Sequence, residues 1–241
     1  MSEPAASMDE AALRSRLNAE GHLDLSDLEL SDAALAGWDS LAWLTQVVSL
    51  DLSSNDLTDA AVERIARCPQ LSCLEVLDLQ RNDLGPRAGV LLADSGFLRS
   101  LRTLRIGLNS LGDPTALALA GSPLLSTVEV LSFRFAELGE PGVLALLASP
   151  HLRSLRELDL CGSPFGPAAA QALAQAPALA ALEVIDISDN DLELDEQEVE
   201  RIIRSPHLPR LKTLVLLPPR LWGSGGEVDV AEWRQQFAAG N

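Results

Sequence analysis

Residues Leu74–Leu84 read LEVLDLQRNDL. Leucine takes the first, fourth, sixth and eleventh places, and Asn82 the ninth. The pattern recurs along the chain. Val47, Leu74, Leu101, Val128, Leu155 and Leu182 each open a copy at intervals of 27 residues, and Leu211 opens another after 29. One interval upstream, at Glu20, EGHLDLSDLEL keeps Leu23, Leu25 and Leu30 in register. These are eight turns of one coil. A coil whose turns touch only their neighbours is a single quasi-one-dimensional body, so the 241 residues make one domain rather than two.

Each turn changes period half-way. Leu77 and Leu79 alternate with Val76, Asp78 and Gln80, which predicts a short strand. In the second half, DAAVERIAR (Asp59–Arg67) puts Val62, Ile65 and Ala66 on one helical face and charges on the other. Pro86, Pro114, Pro141 and Pro167 fall where helices open, since a first-turn residue needs no N–H. Pro69, Pro123, Pro150, Pro177 and Pro206 fall where they close. One turn per strand makes the sheet parallel, with strands about 4.8 Å apart. Helices are wider than strands, so the stack curves with its strands inside. Asn55, Asn82, Asn109 and Asn190 sit where each strand ends and are read as a structural ladder of buried amides.

The eleven-residue pattern resembles that of leucine-rich repeats. The resemblance covers about residues 20–221 in one register. Repeats of 27 residues with a full helix look like the ribonuclease-inhibitor-like class, and phrases such as SPHLRSLRELDL (Ser149–Leu160) like its bacterial versions. The resemblance implies an α/β fold: a right-handed solenoid of about eight repeats, a segment of a curved horseshoe. Its parallel sheet lines the concave face and its helices the convex face. Residues 1–19 are expected to form an N-terminal tail and capping helix (Met8–Leu17), 20–217 the solenoid, and 218–241 a C-terminal cap. The cap includes a helix over Val228–Ala239 with Val230, Trp233 and Phe237 on one face. Trp38, Trp43, Trp222 and Trp233 all lie in terminal segments and are assigned to capping, because an open solenoid end exposes its core.

Composition narrows the function. The formal net charge is −17, which argues against nucleic acid or anionic membrane as a partner. No apolar run is long enough for a membrane span. The N-terminal MSEPAASMDEAALRSRL lacks the apolar core of a secretory signal, so a cytoplasmic location is expected. Cys68, Cys73 and Cys161 form no disulfide framework. No CxxC, HExxH, GxSxG or phosphate-loop pattern occurs, and His22, His151 and His207 are too far apart along the coil to share a metal. No enzyme, cofactor or metal site is expected.

The candidate site is the concave face. The residue between the two inner leucines reads Asp24, Asp51, Asp78, Arg105, Ser132, Asp159, Asp186 and Val215 in successive turns. Neighbouring carboxylates about 5 Å apart repel by about 1 kcal/mol in water. The stripe is therefore either an acidic groove for a basic protein or a repeat consensus kept polar. A straight row does not converge on a point, which disfavours calcium. The middle turns break the pattern with Arg105, Ser132 and the phrase FRFAEL, in which Phe133 fills a core place, Arg134 faces the concavity and Phe135 lies at the exposed strand edge. Arg and aromatic residues are enriched at interface hot spots. The expected function is a monomeric, non-enzymatic protein-interaction module using Asp51, Asp78, Arg105, Ser132, Arg134, Phe135, Asp159 and Asp186. The alternatives implied by the resemblance are a regulator that activates a small GTPase and an acidic inhibitor or immunity protein of a basic toxin or nuclease.

Overall fold

The computed structural model describes residues 9–190, 194–216 and 227–232. Eight three-residue strands form one parallel sheet in chain order: β1 (His22–Asp24), β2 (Ser49–Asp51), β3 (Val76–Asp78), β4 (Thr103–Arg105), β5 (Val130–Ser132), β6 (Glu157–Asp159), β7 (Val184–Asp186) and β8 (Thr213–Val215). Helix α1 (Glu10–Ser15) precedes β1. Helices α2 (Asp59–Ala66), α3 (Arg87–Ala93), α4 (Gly112–Ala120), α5 (Glu140–Leu147), α6 (Pro167–Ala174) and α7 (Glu196–Ile203) follow β2 to β7. This is a leucine-rich-repeat solenoid with strands on its inner face and helices on its outer face. In the first turn, 3-10 segments at Asp32–Leu35, Trp38–Ser40 and Ala42–Gln46 take the place of the helix. Pro69, Pro123 and Pro177 do more than close helices: each opens a short 3-10 segment leading to the next strand.

The strand register is the sequence period. Leu50 lies opposite Leu77, and Leu77 opposite Leu104. Leu77, Leu79, Leu104, Ile106, Leu131 and Phe133 are fully buried, in two rows running through the coil. Burying such a side chain contributes about 1.5–3 kcal/mol. Glycine appears where turns meet closely. A Cβ on Gly89 would lie 2.5 Å from Thr115, and one on Gly142 2.4 Å from Asp113 Oδ1. That oxygen accepts the Gly139 and Gly142 N–H groups at 2.7 and 3.0 Å, so one turn's carboxylate caps the next turn's helix.

Two columns of side chains satisfy the loop backbones. Asn82 Oδ1 accepts from Leu57 N at 3.1 Å, and its Nδ2 donates to the carbonyls of Leu52, Leu79 and Gln80. Asn55 and Asn109 bond in the same manner, and Asn190 Nδ2 donates to Ile187 O. On the helical side, the hydroxyls of Ser95, Ser122, Ser149 and Ser205 each donate to a carbonyl of the preceding turn, those of Ala66, Ala93, Ala120 and Ala174.

A third column carries charge. Glu75, Arg102, Glu129, Arg156, Glu183 and Lys212 stand just before successive strands and alternate in sign. Arg102 lies 3.6 Å from Glu75 and 2.5 Å from Glu129; Arg156 lies 3.5 Å from Glu129 and 3.2 Å from Glu183; Lys212 pairs with Glu183. Each half-exposed pair adds only about 0.2–1 kcal/mol, but a shifted register would set like charges together.

The ends close differently. Trp38 and Trp43 are buried, with Trp38 Nε1 donating to Ala34 O at 3.0 Å and Trp43 Nε1 to Glu10 Oε1 at 3.1 Å, so Trp43 ties α1 to the first turn. Trp222, Trp233 and Phe237 lie outside the described residues. A helix was expected from Val228, but β9 (Glu227–Asp229) is a strand antiparallel to β8, with Val228 opposite Leu214. Helical backbone begins only at Val230, whose side chain is buried. The reason is the free edge of β8, whose unpaired N–H and C=O groups a strand can satisfy and a helix cannot.

Asn82→Ala leaves the buried Leu57 N–H without its partner and removes one of two donors from each of the Leu52, Leu79 and Gln80 carbonyls. It is expected to cost about 1–3 kcal/mol, read as a lowered urea midpoint at unchanged slope. A loss below about 0.5 kcal/mol would mean that the amide column is dispensable.

Candidate functional site

Register brings the central residues of the strands into one row. Asp24 faces Asp51, Asp51 faces Asp78, Asp78 faces Arg105, Arg105 faces Ser132, Ser132 faces Asp159, and Asp159 faces Asp186. Each carboxylate is held by its own strand end. Asp24, Asp51, Asp78, Asp159 and Asp186 all accept, through Oδ1, the backbone N–H two residues on. Asp24, Asp51 and Asp186 also accept from the hydroxyls of Ser26, Ser53 and Ser188. The consensus Asp is thus partly a structural residue that terminates the strand, and in Asp78, Asp159 and Asp186 the second oxygen meets Arg105, Ser132 and Arg134.

The environments of these carboxylates differ. The Ser26 hydroxyl and backbone N–H hold Asp24 below the usual carboxylate range. Burial pushes Asp78 up, with Asp51 adding to the effect and the Gln80 N–H and Arg105 opposing it. Burial likewise pushes Asp159 up against bonds from Cys161 N and Ser132 Oγ. Arg105 Nη1 lies 3.8 Å from Asp78 Oδ2. Arg134 reaches across two turns, with Nη1 3.2 Å from Asp186 Oδ2 and 3.8 Å from Asp159 Oδ2. Ser132 Oγ donates to Asp159 Oδ2 at 3.0 Å. The acidic row is therefore partly offset at its C-terminal half, where Arg134 serves two carboxylates, and left open around Asp51.

The residue after Arg134 belongs to a second row, one that hydrophobic periodicity does not reveal. Three places beyond the central residue, each of the first seven turns enters the left-handed region: Asp27, Ser54, Arg81, Leu108, Phe135 and Asp189 have φ between 48° and 56°, and Gly162 has φ 75°. Backbone bonds enforce this bend. Ser54, Arg81, Leu108 and Phe135 each donate N–H to the neighbouring turn, to the carbonyls of Gln80, Gly107, Arg134 and Cys161. Small or polar residues tolerate the conformation, whereas for Leu or Phe it costs about 1 kcal/mol or more. Leu108 and Phe135, in adjacent turns, are nevertheless apolar, bulky and 37% and 41% exposed. A glycine makes room for the ring: a Cβ on Gly162 would lie 2.3 Å from Phe135 Cδ1. Gly107 instead lets the backbone of the next turn approach, where a Cβ would lie 2.4 Å from Arg134 O. The Arg134 guanidinium lies 5.5 Å from the Phe135 ring centroid. Leu108 and Phe135 border a shallow rim groove with Arg81, Asn82, Ser110 and Glu137. Leu108 breaks the consensus of its turn and stands 27 residues before Phe135, which is the signal in the sequence that pairs the two.

Other candidates do not assemble. Cys68, Cys73 and Cys161 are unpaired, and burial pushes the Cys68 and Cys161 thiols up, away from the nucleophilic thiolate. Among the described residues no group of three His, Cys, Asp or Glu side chains is placed to hold a metal ion. Nor, among them, is any helix long and apolar enough to cross a membrane.

The leucine-rich-repeat family model matches residues 45–66, 70–93 and 97–120. Among solved structures, the chain is similar to a chain of an octameric complex of Latrophilin 3, Unc5D and FLRT2, in which the leucine-rich repeats are those of FLRT2. Identity is 21%, the TM-score 0.50, and the match covers 80% of this chain and 60% of that one. The protein thus spans less than two thirds of that chain's length. No curated protein sequence matches. The chain carries leucine-rich repeats, and its architecture is theirs.

Asp78 and Asp159 have pKa values above their unfolded values, so folding is penalised by their charge. The penalty is complete above the folded pKa and disappears as pH falls to the unfolded value. Asp78→Asn keeps the acceptor for Gln80 N and removes the charge. It is expected to raise the melting temperature at pH 7, with the gain shrinking as pH falls through the carboxylate range. A gain that is unchanged between pH 7 and pH 4 would refute the electrostatic origin.

Proposed function

We propose that the protein is a non-enzymatic protein-interaction module that binds a protein partner through its concave face and the adjoining rim. One observation carries this reading: Leu108 and Phe135 are held exposed in a backbone conformation unfavourable to both, and Gly162 leaves the space that the Phe135 ring occupies. Strain of this kind persists where an exposed side chain is needed, and exposed aromatic and Arg groups anchor interfaces. Arg105, Ser132 and Arg134 adjoin the ridge, and Asp51, Asp78, Asp159 and Asp186 form the acidic floor beside it. The open carboxylates steer a partner with basic character and make association salt-sensitive.

The row Asp24–Asp51–Asp78 favours a second reading, an acidic inhibitor or immunity protein of a basic toxin or nuclease, which differs in partner and not in chemistry. The 27-residue period with a full helix supports the ribonuclease-inhibitor-like class, and SPHL phrases its bacterial type. The three unpaired cysteines suit a reducing cytoplasm.

The test is capture from native lysate on immobilised protein, with a salt-gradient elution and mass spectrometry, beside Phe135→Asn. Asn tolerates positive φ, so this variant relieves backbone strain while removing the ring. It is expected to melt within a few degrees of the parent and to lose about tenfold or more in affinity for the captured partner. If the variant holds the same partner equally well, the rim is not the site; if the parent captures nothing above a blank matrix at low salt, the module reading itself fails.

A further inference from the structure

The side chains that tie one turn to the next are not evenly shared along the coil. Three columns lie on its helical side. Ser95, Ser122, Ser149 and Ser205 donate to carbonyls at the ends of α2, α3, α4 and α6. Ser100, Thr127 and Ser154 donate to Ser72 O, Arg99 O and Ser126 O at 3.1, 3.5 and 2.8 Å. Asp32, Asp59 and Asp113 accept from Thr58 N, Gly85 N and Gly139 N of the following turn. Between the fifth turn and the sixth all three columns fail together. Ala176 stands in the first and Ala181 in the second, and Glu140 replaces the aspartate of the third without a hydrogen bond among the described residues. In the asparagine column of the strand side, Ser163 buries a hydroxyl that has no partner. Every other joint from the first turn to the seventh keeps at least one tie, through Asn55, Asn82, Asn109, Ser149 or Ser205.

What remains at this joint lies on the strand side. β5 and β6 keep their register, with Phe133 N donating to Asp159 O and Phe135 N to Cys161 O, both at 2.8 Å. Ser132 Oγ bonds Asp159 Oδ2 at 3.0 Å, and Arg134 reaches both Asp159 and Asp186. Arg156 pairs with Glu129 ahead of the strands. Among the described residues no hydrogen bond joins α5 and its closing loop to α6 and its closing loop. Apolar packing is left, and α6 brings to it the small Ala169 and Ala170 beside Leu173.

We propose that the coil bends at the joint between its fifth and sixth turns, a hinge pinned at β5–β6 and free to open between α5 and α6. Each turn of a solenoid meets only its neighbours, so the stack yields at its weakest interface rather than throughout. The ladder bonds are directional and hold the pin. Alanine methyls bury little area, so the helical side parts at small cost. Arg134, set over Asp159 and Asp186, fastens the pin where the amide column is missing. The chain then moves as two bodies, turns one to five and turn six onward, in the manner of a hinge whose flexing is absorbed by a few residues. Spreading α5 from α6 tightens the concave face and moves Asp51 and Asp78 relative to Asp186, while Ser132 and Asp159 stay in contact. The inference rests on the fold alone and holds whether or not that face takes a partner.

Double electron–electron resonance between paired nitroxide labels tests the hinge on the full chain. The background is Cys73→Ser, because Cys68 and Cys161 are buried. Labels on Leu117→Cys and Gln171→Cys occupy one place of the repeat on α4 and α6, two turns apart across the joint. Labels on Glu63→Cys and Leu117→Cys occupy the same place on α2 and α4, also two turns apart, and cross only tied joints. The 117–171 distance distribution is expected to be about twice as wide as the 63–117 one. Ala176→Ser with Ala181→Ser, which puts hydroxyls back into both columns, is expected to narrow it toward the control, and circular dichroism melting checks that each variant is folded. Equal widths for the two pairs overturn the proposal. So does a wide 117–171 distribution that the two serines leave unchanged, since the missing ties would not be its cause.

Discussion

The amide of Asn82 reaches four backbone groups across two turns, and on bonds of that kind the coil depends. A solenoid loop bends out of the sheet ladder before its helix begins, leaving N–H and C=O groups buried with no regular partner. Here the next turn supplies the missing groups through Asn on the strand side and Ser on the helix side. Because the donor belongs to a neighbour, each turn is complete only when the next one is in register. The constant spacing from strand to Asn follows from this. A residue inserted between them would move the amide away from its carbonyls, whereas the two extra residues between Leu182 and Leu211 leave β7 and β8 in register and Lys212 paired with Glu183.

Register also decides where charge can go. The column ahead of the strands alternates in sign, so stacking brings opposite charges together. The central column repeats Asp, so the same stacking brings like charges together. The fold tolerates this because each Asp is tied to the N–H two residues on, and because Arg134 bridges the last pair. Among the outer helices, α2 and α7 carry charges along their length, α4 and α5 one acid each at the N-terminal end, and α6 none. One period thus yields a charge-alternating edge, an acidic floor and a helical back of uneven polarity.

Much of this was legible in the sequence. The period located the strands, set Asp51 opposite Asp78, put Phe133 in the core, and turned Arg134 inward and Phe135 outward, because parallel stacking copies one turn's geometry to the next. The Glu75–Lys212 alternation was equally present at the same spacing but is seen only when columns other than the leucines are followed. The left-handed bend at Leu108 and Phe135 was not legible. Asp, Ser, Arg, Leu, Phe and Gly all occupy that place, and no shared residue type marks a conformation imposed by backbone bonds from the next turn. Strand β9 was hidden for a related reason. Its helical spacing of Val230, Trp233 and Phe237 says nothing of the free edge at β8 that draws Glu227–Asp229 into the sheet.

The amide column fails in the turn that carries Phe135 and in the turn after it. Ala136 stands where Asn82 and Asn109 stand in their turns, and the Ala136 carbonyl accepts from Gly112 N at 3.1 Å in place of a side-chain contact. Ser163 follows at the same place, with a buried hydroxyl that has no hydrogen-bond partner among the described residues. Leu108, Phe135, Gly107 and Gly162 fall in these turns or beside them. A stack selected for stability alone would keep the Asn and put Gly or Asn in the left-handed place. Local rules broken together in one region are what the proposed site would show if it is held at some expense of stability. Repeat decay would scatter such departures along the coil; here they meet around one aromatic ring and the Arg134 guanidinium that lies over it.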